Sequence, residues 1–202
     1  MKGIFTFMVA IMLSTPTFAA DISGKVGIAS DNIFRGVTMS DGIGYSAQGL
    51  VSLDNGIFAG AKVMSLNETS DLMTTTMVGY GFDLGGVDLN VAYVDRGYQG
   101  IDIDGWEEVG VSANFDLFGL YYAKGLDDAG DFYLVETSAL KVVDVAYGDW
   151  DNAGSYIEVS KSFDLAGGSV KVGFIDHDNN DEDLLDKVQD VDNFYVGYSY
   201  KF

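Results

Sequence analysis

The chain of 202 residues has no cysteine, one proline and one histidine. Without cysteine there are no disulfides and no thiolate metal sites. The scarcity of proline suits a strand-rich protein, because proline cannot donate to the hydrogen-bond ladder of a sheet. Basic side chains are also few, 11 against 31 acidic ones for a net charge of -20, and this balance argues against nucleic-acid binding.

Long apolar runs are missing after the first 20 residues, so no later segment is a candidate transmembrane helix. At the N-terminus, Lys2 supplies a positive charge and residues 4–13 form an apolar run. That run is shorter than the roughly 20 residues that a membrane-spanning helix needs, and small residues follow it up to Ala19. The pattern predicts a signal peptide at residues 1–19 and an exported barrel domain at residues 20–202.

The chain ends on a segment with strand-like alternation and a terminal aromatic residue. Period-two spacing places five large side chains on one face: Phe194, Val196, Tyr198, Tyr200 and Phe202. Gly197, Tyr200 and Phe202 look like the C-terminal signal by which bacterial outer-membrane proteins are recognised by the barrel assembly machinery. In a transmembrane barrel such a strand closes the wall, with its aromatic side chains at the membrane interface.

Alternating polarity continues from Asp21 onward in segments of about ten residues, the span of a tilted membrane strand. Tight turns made of an aromatic residue, Asp and then glycine are predicted at 82–86, 115–119 and 163–168. Asp54 to Gly56 is a fourth turn with an Asn-Gly signal, and residues 139–141 are a fifth. Longer polar loops are predicted near 36–42, 67–70, 97–104, 127–131, 149–154 and 176–190.

Alternation of short turns with longer loops is typical of outer-membrane barrels, which have short periplasmic turns and longer extracellular loops. Five turns and six loops join 12 strands, so we predict an all-β, transmembrane, antiparallel up-and-down barrel. An even number of strands places both termini in the periplasm. The predicted location is the bacterial outer membrane, with the wall in contact with lipid and lipopolysaccharide.

Three features invite a catalytic or metal-binding interpretation. His177 has no nucleophile motif to act with, so we expect a solvated loop histidine. Glu107 and Glu108 are adjacent, so on a strand they point to opposite faces and cannot act together on one sugar. Segment 176–183 lacks the glycine and flanking helices of an EF-hand and is interpreted as a solvated acidic loop, with weak Ca²⁺ or Mg²⁺ binding as the alternative. We therefore predict no enzyme activity and no cofactor.

Charged side chains at inward strand positions are the candidate functional residues. Eight of them are predicted to line a pore: Lys25, Arg35, Lys62, Arg96, Glu108, Glu136, Glu158 and Lys171. Asp31, Asp88 and Asp144 are further inward acids, so six acids face five bases and the wall is nearly balanced. Most of the negative charge is then expected in the loops, where it would enrich cations at the mouth.

Two segments resemble the opening of the TorF family of porins: Ser30 to Val37, with its Phe-Arg-Gly, and Asp54 to Gly60, with its aromatic-Ala-Gly pattern. Residues 87–93, 106–109 and 197–202 are similar to later strands of that family. Residues 93–96 depart from the tyrosine- and proline-rich stretch that the family usually has at this point. The resemblance implies an outer-membrane barrel more firmly than it implies a substrate.

A charged lumen is compatible with two functions. The first is a porin-like channel for passive diffusion of small solutes, with an acidic extracellular rim. The alternative is a closed, structural or surface-binding barrel in which paired charges fill the lumen and acidic loops hold cations. An outer-membrane lipid enzyme is a third hypothesis, with His177 as its only obvious catalytic base. The sequence leaves the solute and the oligomeric state open.

Overall fold

The computed structural model describes residues 20–202 except 41, 67–70, 127–128, 152 and 179–192. The predicted signal peptide and most of the acidic segment 176–190 lie outside the described residues. Both the cleavage after Ala19 and cation binding by that segment therefore stay predictions. Among the described residues, no helix is both long enough and apolar enough to cross a bilayer.

The described residues form fourteen β-strands, and the longer ones carry the alternation seen in the sequence. In chain order they are β1 (Ala20–Ala29), β2 (Ile33–Phe34), β3 (Val37–Thr38), β4 (Gly44–Leu53), β5 (Ile57–Ser65), β6 (Leu72–Asp83), β7 (Asp88–Gln99), β8 (Trp106–Asn114), β9 (Phe118–Gly125), β10 (Phe132–Thr137), β11 (Asp144–Trp150), β12 (Gly154–Leu165), β13 (Gly168–Asp178) and β14 (Asn193–Lys201).

Twelve of the described strands form one closed barrel in which neighbours are antiparallel. Their order around the ring follows the chain from β4 to β14. The ring is completed by β1, which pairs with β4 on one side and β14 on the other. Strands β2 and β3 form a separate two-stranded sheet. The predicted antiparallel up-and-down barrel of 12 strands is confirmed.

The two ends of the barrel differ in their connections. At one end, which we name the turn end, strands are joined by residues 54–56, 84–87, 115–117, 138–143 and 166–167, where the sequence predicted turns. At the opposite end, the loop end, β1 connects to β4 by way of β2 and β3, β7 connects to β8, and β9 connects to β10. Both β1 and β14 have their terminal residues at the turn end, where Ala20 is paired with Leu53.

Each strand has an apolar outer face and a more polar inner face, as the pleat of a strand requires. Val26 and Tyr200 lie opposite each other on the outer face and are 44% and 45% exposed. Lys25 and Lys201, one residue along on each strand, lie opposite each other on the inner face. Large apolar side chains all round the outside of a barrel are typical of a wall that faces lipid.

The last residue closes the barrel against the first strand. The backbone N–H of Gly24 donates to the carbonyl of Phe202 at 2.8 Å, and the N–H of Phe202 donates back at 3.0 Å. The Phe202 ring covers Gly24 so closely that a Cβ there would lie 2.5 Å from it. Tyr200 stacks on Phe202 with ring centroids 6.5 Å apart. The C-terminal aromatic residues therefore lie at the seam between β1 and β14.

Strand β13 is longer than the sequence indicated, and this corrects the prediction for His177. The strand runs through Asp178, so residues 176–178 belong to the wall and not to a loop. His177 shares the inner face with Ile175 and is 7% exposed, which contradicts a solvated loop histidine. Asp176 and Asp178 are exposed on the outer face at the loop end. Acidic residues are tolerated there because barrel strands extend beyond the apolar band.

Candidate functional site

The loop between β1 and β4 folds back into the barrel. Ile33 packs against a buried cluster on β9, β10, β12 and β13, and Phe34 packs against another on and beside β5 and β6. The first cluster comprises Ala123, Phe132, Tyr156 and Ile175, and the second comprises Met64, Leu66 and Met73. These strands lie on different sides of the ring. The hairpin formed by β2 and β3 reaches both clusters because it lies inside the lumen, which it narrows towards the loop end.

Arg35 and Gly36 form the two-residue turn of this hairpin, with φ angles of 51° and 83°. Positive φ at both positions is the signature of a type I′ turn, which matches the twist of the flanking strands. A Cβ at Gly36 would lie 2.4 Å from the Tyr156 ring, so glycine is needed here for space as well as for its backbone. The left-handed conformation costs a residue such as Arg35 about 1–2 kcal/mol. Contacts of its side chain offset that cost.

The Arg35 side chain binds Glu108 on the inner face of β8. Its Nη2 donates to both carboxylate oxygens of Glu108, at 2.8 and 2.6 Å. Arg96 Nη1 forms a second ion pair with the same carboxylate at 2.6 Å, and the Tyr121 hydroxyl donates to it at 3.0 Å. Arg35 and Arg96 are each 8% exposed and Glu108 is 1% exposed. One buried carboxylate thus ties the hairpin to β7, β8 and β9.

Aromatic rings surround the two guanidinium groups. The Arg35 Cζ lies 4.2 Å from the Phe132 ring centroid and 5.2 Å from that of Trp150. The Arg96 Cζ lies 5.1 Å from the Phe34 ring and 5.6 Å from the Trp106 ring. Such contacts add attraction for a cation that has lost most of its water. They leave the guanidinium groups few orientations, so the charge at the constriction is held in one place.

A second anchor holds the base of the loop. The Asn32 amide Nδ2 donates to the Ser65 carbonyl at 2.9 Å and to the Ser65 hydroxyl at 3.1 Å. The Asn32 backbone N–H donates to the Ser40 hydroxyl at 2.7 Å, which joins the two ends of the loop. Asn32, Ser40 and Ser65 are all buried. Side-chain bonds at the base and an ion pair at the tip together fix the hairpin.

Two cavities occupy the part of the lumen that the hairpin leaves free. The larger, of about 420 Å³, opens towards the turn end, where it is lined by residues 114–119 and by Glu136, Ser138 and Asp144. The smaller, of about 260 Å³, lies between the hairpin and β1, and its lining includes Asp31, Arg35 and Lys62. Tyr156, Glu158 and Lys171 line both cavities. The two cavities therefore lie next to each other along β12 and β13.

No protein-family model and no curated protein sequence matches the chain. Among solved structures it is similar to the KdgM porin, with a TM-score of 0.56 and 14% identity over 89% of this chain and 99% of that one. It is also similar to the KdgM porin in complex with disordered oligogalacturonate, with a TM-score of 0.54 and 12% identity over 91% of this chain and 99% of that one. The fold is that of a porin-type barrel. The resemblance to the TorF family stays a prediction.

The eight residues predicted to line a pore fall into two groups inside this porin-type barrel. Arg35, Arg96 and Glu108 meet at the hairpin. The other five face the cavities: Lys25, Lys62, Glu136, Glu158 and Lys171. The placement of Arg35 is a correction, because it stands on the hairpin and not on the barrel wall. Whether solutes pass these residues stays a prediction.

Glu158 is the acid that both cavities share, and it is already paired. Lys171 forms an ion pair with it, and the Tyr195 hydroxyl donates to its Oε1 at 2.8 Å. Lys171 Nζ also lies 5.7 Å from the Tyr195 ring centroid. The pair contributes little net charge to the lumen, so the field there is set by other side chains.

Sequence reasoning missed the aromatic and amide parts of the site. Phe132, Trp150 and Tyr121 contact the arginine cluster, and Asn32 holds the loop. The alternation of inward and outward positions along a strand could have indicated Tyr121 and Trp106, because both lie on the inner face together with Glu108. No pattern in the sequence marks Asn32, because its partner Ser65 is 33 residues away.

Two acidic residues at the loop end, Asp131 and Asp151, are held in place by hydrogen bonds. Tyr122 Oη donates to Asp131 at 2.7 Å, and Lys124 Nζ donates to it at 3.0 Å. These two hydrogen bonds hold the pKa of Asp131 below its usual range. The Asp131 backbone N–H in turn donates to the carboxylate of Asp151 at 3.0 Å. Asp131 is therefore paired with Lys124, whereas Asp151 is exposed.

Proposed function

We propose that the protein is a porin-like channel of the bacterial outer membrane through which small solutes diffuse passively. The observation that carries the proposal is a pair of neighbouring cavities inside a closed barrel, which share the lining residues Tyr156, Glu158 and Lys171. Together they extend from the turn end to Asp31 beside the hairpin. A lumen lined by charged and hydroxyl side chains is wetted, and its width and field decide which solutes pass.

The proposed orientation places the turn end in the periplasm and the loop end outside the cell. It is supported by the two terminal strands meeting at the turn end and by the longer connections at the other end. The apolar outer face would contact lipid and lipopolysaccharide. The seam formed by Tyr200 and Phe202 would be the part that the barrel assembly machinery recognises. The acidic rim around Asp131 and Asp151 would enrich cations at the outer mouth.

The hairpin is the proposed size filter. Arg35 and Gly36 lie against the Tyr156 side of the lumen, so the path runs between the hairpin and strands β1, β4, β5, β13 and β14. A cavity of about 260 Å³ is below the usual range of about 300–1,000 Å³ for sites that hold drug-sized molecules. We therefore expect ions and small solutes to pass and larger molecules to be retained.

Conductance of the purified barrel in planar lipid bilayers tests this function. We expect discrete current steps, because each inserted barrel adds one water-filled path. Folding is checked separately by the heat-dependent shift in gel migration that closed barrels show. A barrel that migrates as folded and inserts, yet stays silent over a wide voltage range, would contradict the proposal.

A closed structural barrel is the second candidate, and the anchored hairpin favours it. Two side-chain bonds from Asn32 and the buried ion pair of Arg35 hold the hairpin within the lumen. If the hairpin seals the barrel, the native protein is silent, and a variant with residues 33–38 replaced by a short Gly-Ser linker conducts. If the native protein already conducts, this second candidate is excluded.

A further inference from the structure

One row of inward side chains crosses half of the barrel and contains no acid. Strand register places Lys201 of β14 beside Lys25 of β1, and Lys25 beside Gln48 of β4. The row continues from Gln48 to Lys62 of β5, then to Thr75 of β6 and Arg96 of β7. Each step moves to the next strand around the ring. We name these six residues the basic row.

The basic row also climbs along the barrel axis. Lys201 is the last residue of β14 at the turn end, whereas Arg96 is near the loop end of β7 and pairs with Glu108 at the hairpin. Neighbouring strands lie about 4.8 Å apart, so Lys25 and Lys62, two strands apart, have Cα atoms separated by roughly 10 Å. Flexible lysine side chains can cover that gap. The row therefore connects the turn-end mouth with the constriction.

The charges of the basic row are only partly neutralised. Within the described residues, Lys25 and Lys62 form no ion pair, although both line the 260 Å³ cavity. At the upper end, one carboxylate serves both Arg35 and Arg96. Nη1 of Arg35 and Nε of Arg96 have no hydrogen-bond acceptor among the described residues. Positive charge and donors are thus left over along this wall.

The acids that face the lumen compensate the basic row only in part, because most of them lie away from it. Glu136 and Asp144 lie on β10 and β11 and line the larger cavity towards the turn end. These strands are on the opposite side of the ring from β4 and β5. Two acids line the smaller cavity, Glu158 of β12, which is paired with Lys171, and Asp31 beside the hairpin. They stand against four basic side chains in the same lining: Lys25, Arg35, Lys62 and Lys171. The smaller cavity is therefore a basic compartment in an acidic protein.

We propose that the 260 Å³ cavity is an anion-binding site and that the basic row leads small solutes bearing a carboxylate or phosphate group through the lumen. Lys25 and Lys62 would bind the anion, and the hydroxyl groups of Ser46 and Ser199, which line the same cavity, can donate to it. The transport part rests on the proposed channel; the binding part does not.

Two physical arguments favour an anion over the cation that the net charge of -20 suggests. Like charges directly opposite each other on neighbouring strands destabilise a sheet, and Lys25 lies opposite Lys201. An anion bound at Lys25 would offset that repulsion. In addition, the half-buried charges of a narrow lumen are screened by salt much less than exposed charges of the loops. The lumen therefore decides selectivity.

Binding is tested on the folded, detergent-solubilised barrel by isothermal titration calorimetry, which needs no conductance. Succinate and inorganic phosphate are titrated separately, and binding of one alone identifies which group the site prefers. We expect saturable binding to the native protein and its loss in the double variant K25Q/K62Q. Lys161→Gln is the matched control, because Lys161 is on the outer face of β12 opposite Val172. Absence of binding by the native protein, or unchanged binding in the double variant, would overturn the site.

Selectivity is tested in planar bilayers under a KCl gradient. For the native protein we expect a reversal potential whose sign shows chloride preference. The double variant K25Q/K62Q should shift this potential towards potassium preference, and Lys161→Gln should leave it unchanged. Cation preference in the native protein, or no shift in the double variant, would overturn the path. A folded barrel that binds anions but stays silent would disprove the channel and keep the site. A barrel that conducts but does not bind anions would disprove the site and keep the channel.

Discussion

Glu108 holds together parts of the molecule that are distant in sequence. Arg35, which it binds, is 73 residues away and belongs to a different sheet. A buried ion pair adds little net stability compared with an apolar alternative, but removal of one partner typically costs about 3–5 kcal/mol. The contribution of Glu108 is therefore mainly positional, because it holds the hairpin tip at one point of the lumen.

Glu108→Gln is expected to release the hairpin without unfolding the barrel. The amide leaves two buried guanidinium groups without a counter-charge, and displacement of the hairpin towards solvent relieves this. Trypsin then gains access to the Arg35–Gly36 peptide bond, which in the native protein is covered by Tyr156. The measurement is cleavage after Arg35 in the folded, detergent-solubilised barrel, followed by mass spectrometry of the fragments.

Glu107→Gln is the control for this experiment. Glu107 is the neighbouring residue on β8 but points to the outer face, opposite Asp95. The change removes the same charge and leaves the hairpin contacts intact, so Arg35 should stay protected. Equal cleavage in both variants would show that Glu108 does not hold the hairpin.

The alternation of side chains between the two faces of a strand explains which site residues could be predicted and which could not. Along a continuous strand, alternation is enough to place Glu108 inside and Glu107 outside, as the structure has them. It failed for His177 because two acidic neighbours made the end of β13 look like a loop. For Arg35 it placed the side chain inside but on the wrong element, since no period of two continues through residues 30–43.

At the scale of elements, the hairpin β2–β3 is the feature that the sequence does not reveal. Its strands are two residues long, so they carry no periodic pattern. Its turn, Arg35-Gly36, lacks the Asn-Gly or Asp-Gly pair that marks type I′ turns. The contacts that hold it inside are all long-range, as between Asn32 and Ser65. Barrel strands differ because their neighbours in space are also neighbours along the chain.

For the C-terminal strand, sequence and structure lead to the same prediction, that its terminal aromatic side chain helps to close the barrel. Phe202→Ala removes the ring that covers Gly24 at the seam and is expected to lower the folded fraction during refolding into detergent. The substitution also removes the stacked pair with Tyr200, and an aromatic pair is worth about 0.5–1.5 kcal/mol beyond its buried area. The measurement is the folded band on a gel without heating, at fixed refolding times.

Phe163→Ala controls for simple loss of an outward aromatic side chain. Phe163 is also on the outer face near the turn end, 54% exposed, but it lies away from the seam, opposite Val170 of β13. We expect its folded fraction to stay close to that of the native protein. A similar decrease in both variants would mean that the position of Phe202 at the end of the chain has no special role.

At the scale of the whole molecule, the fold was more predictable than the lumen. Every barrel strand pairs with neighbours under one repeated rule, so alternation, turn signals and the two chain ends were enough for a closed barrel of 12 strands. The lumen follows no repeat. Counting charges suggested a balanced wall, whereas register gathers Lys201, Lys25, Lys62 and Arg96 on one side of it. The arrangement of the charged side chains, and not their number, sets the electrostatic field in the lumen.

The same arrangement predicts an unusual dependence of selectivity on salt. In the proposed channel, most of the net charge of -20 lies outside the lumen, and exposed acids at the loop end, such as Asp104 and Asp151, would attract cations to that mouth. Raising KCl from about 0.01 to about 0.15 M shortens the Debye length from about 30 to about 8 Å, which screens these exposed charges. Lys25 and Lys62, half-buried in the lumen, keep more of their effect. Chloride preference should therefore increase with salt over this range.

Reversal potentials at a fixed twofold KCl gradient, measured at several mean concentrations, check this expectation. The K25Q/K62Q variant is the control, because it keeps the acidic mouth and loses the basic row. Its cation preference should decline as salt rises, while the native barrel moves towards chloride. If chloride preference in the native protein instead falls steadily with salt, the lysines of the lumen are as screened as the loops, and a wide, fully hydrated pore replaces the narrow one inferred from the hairpin.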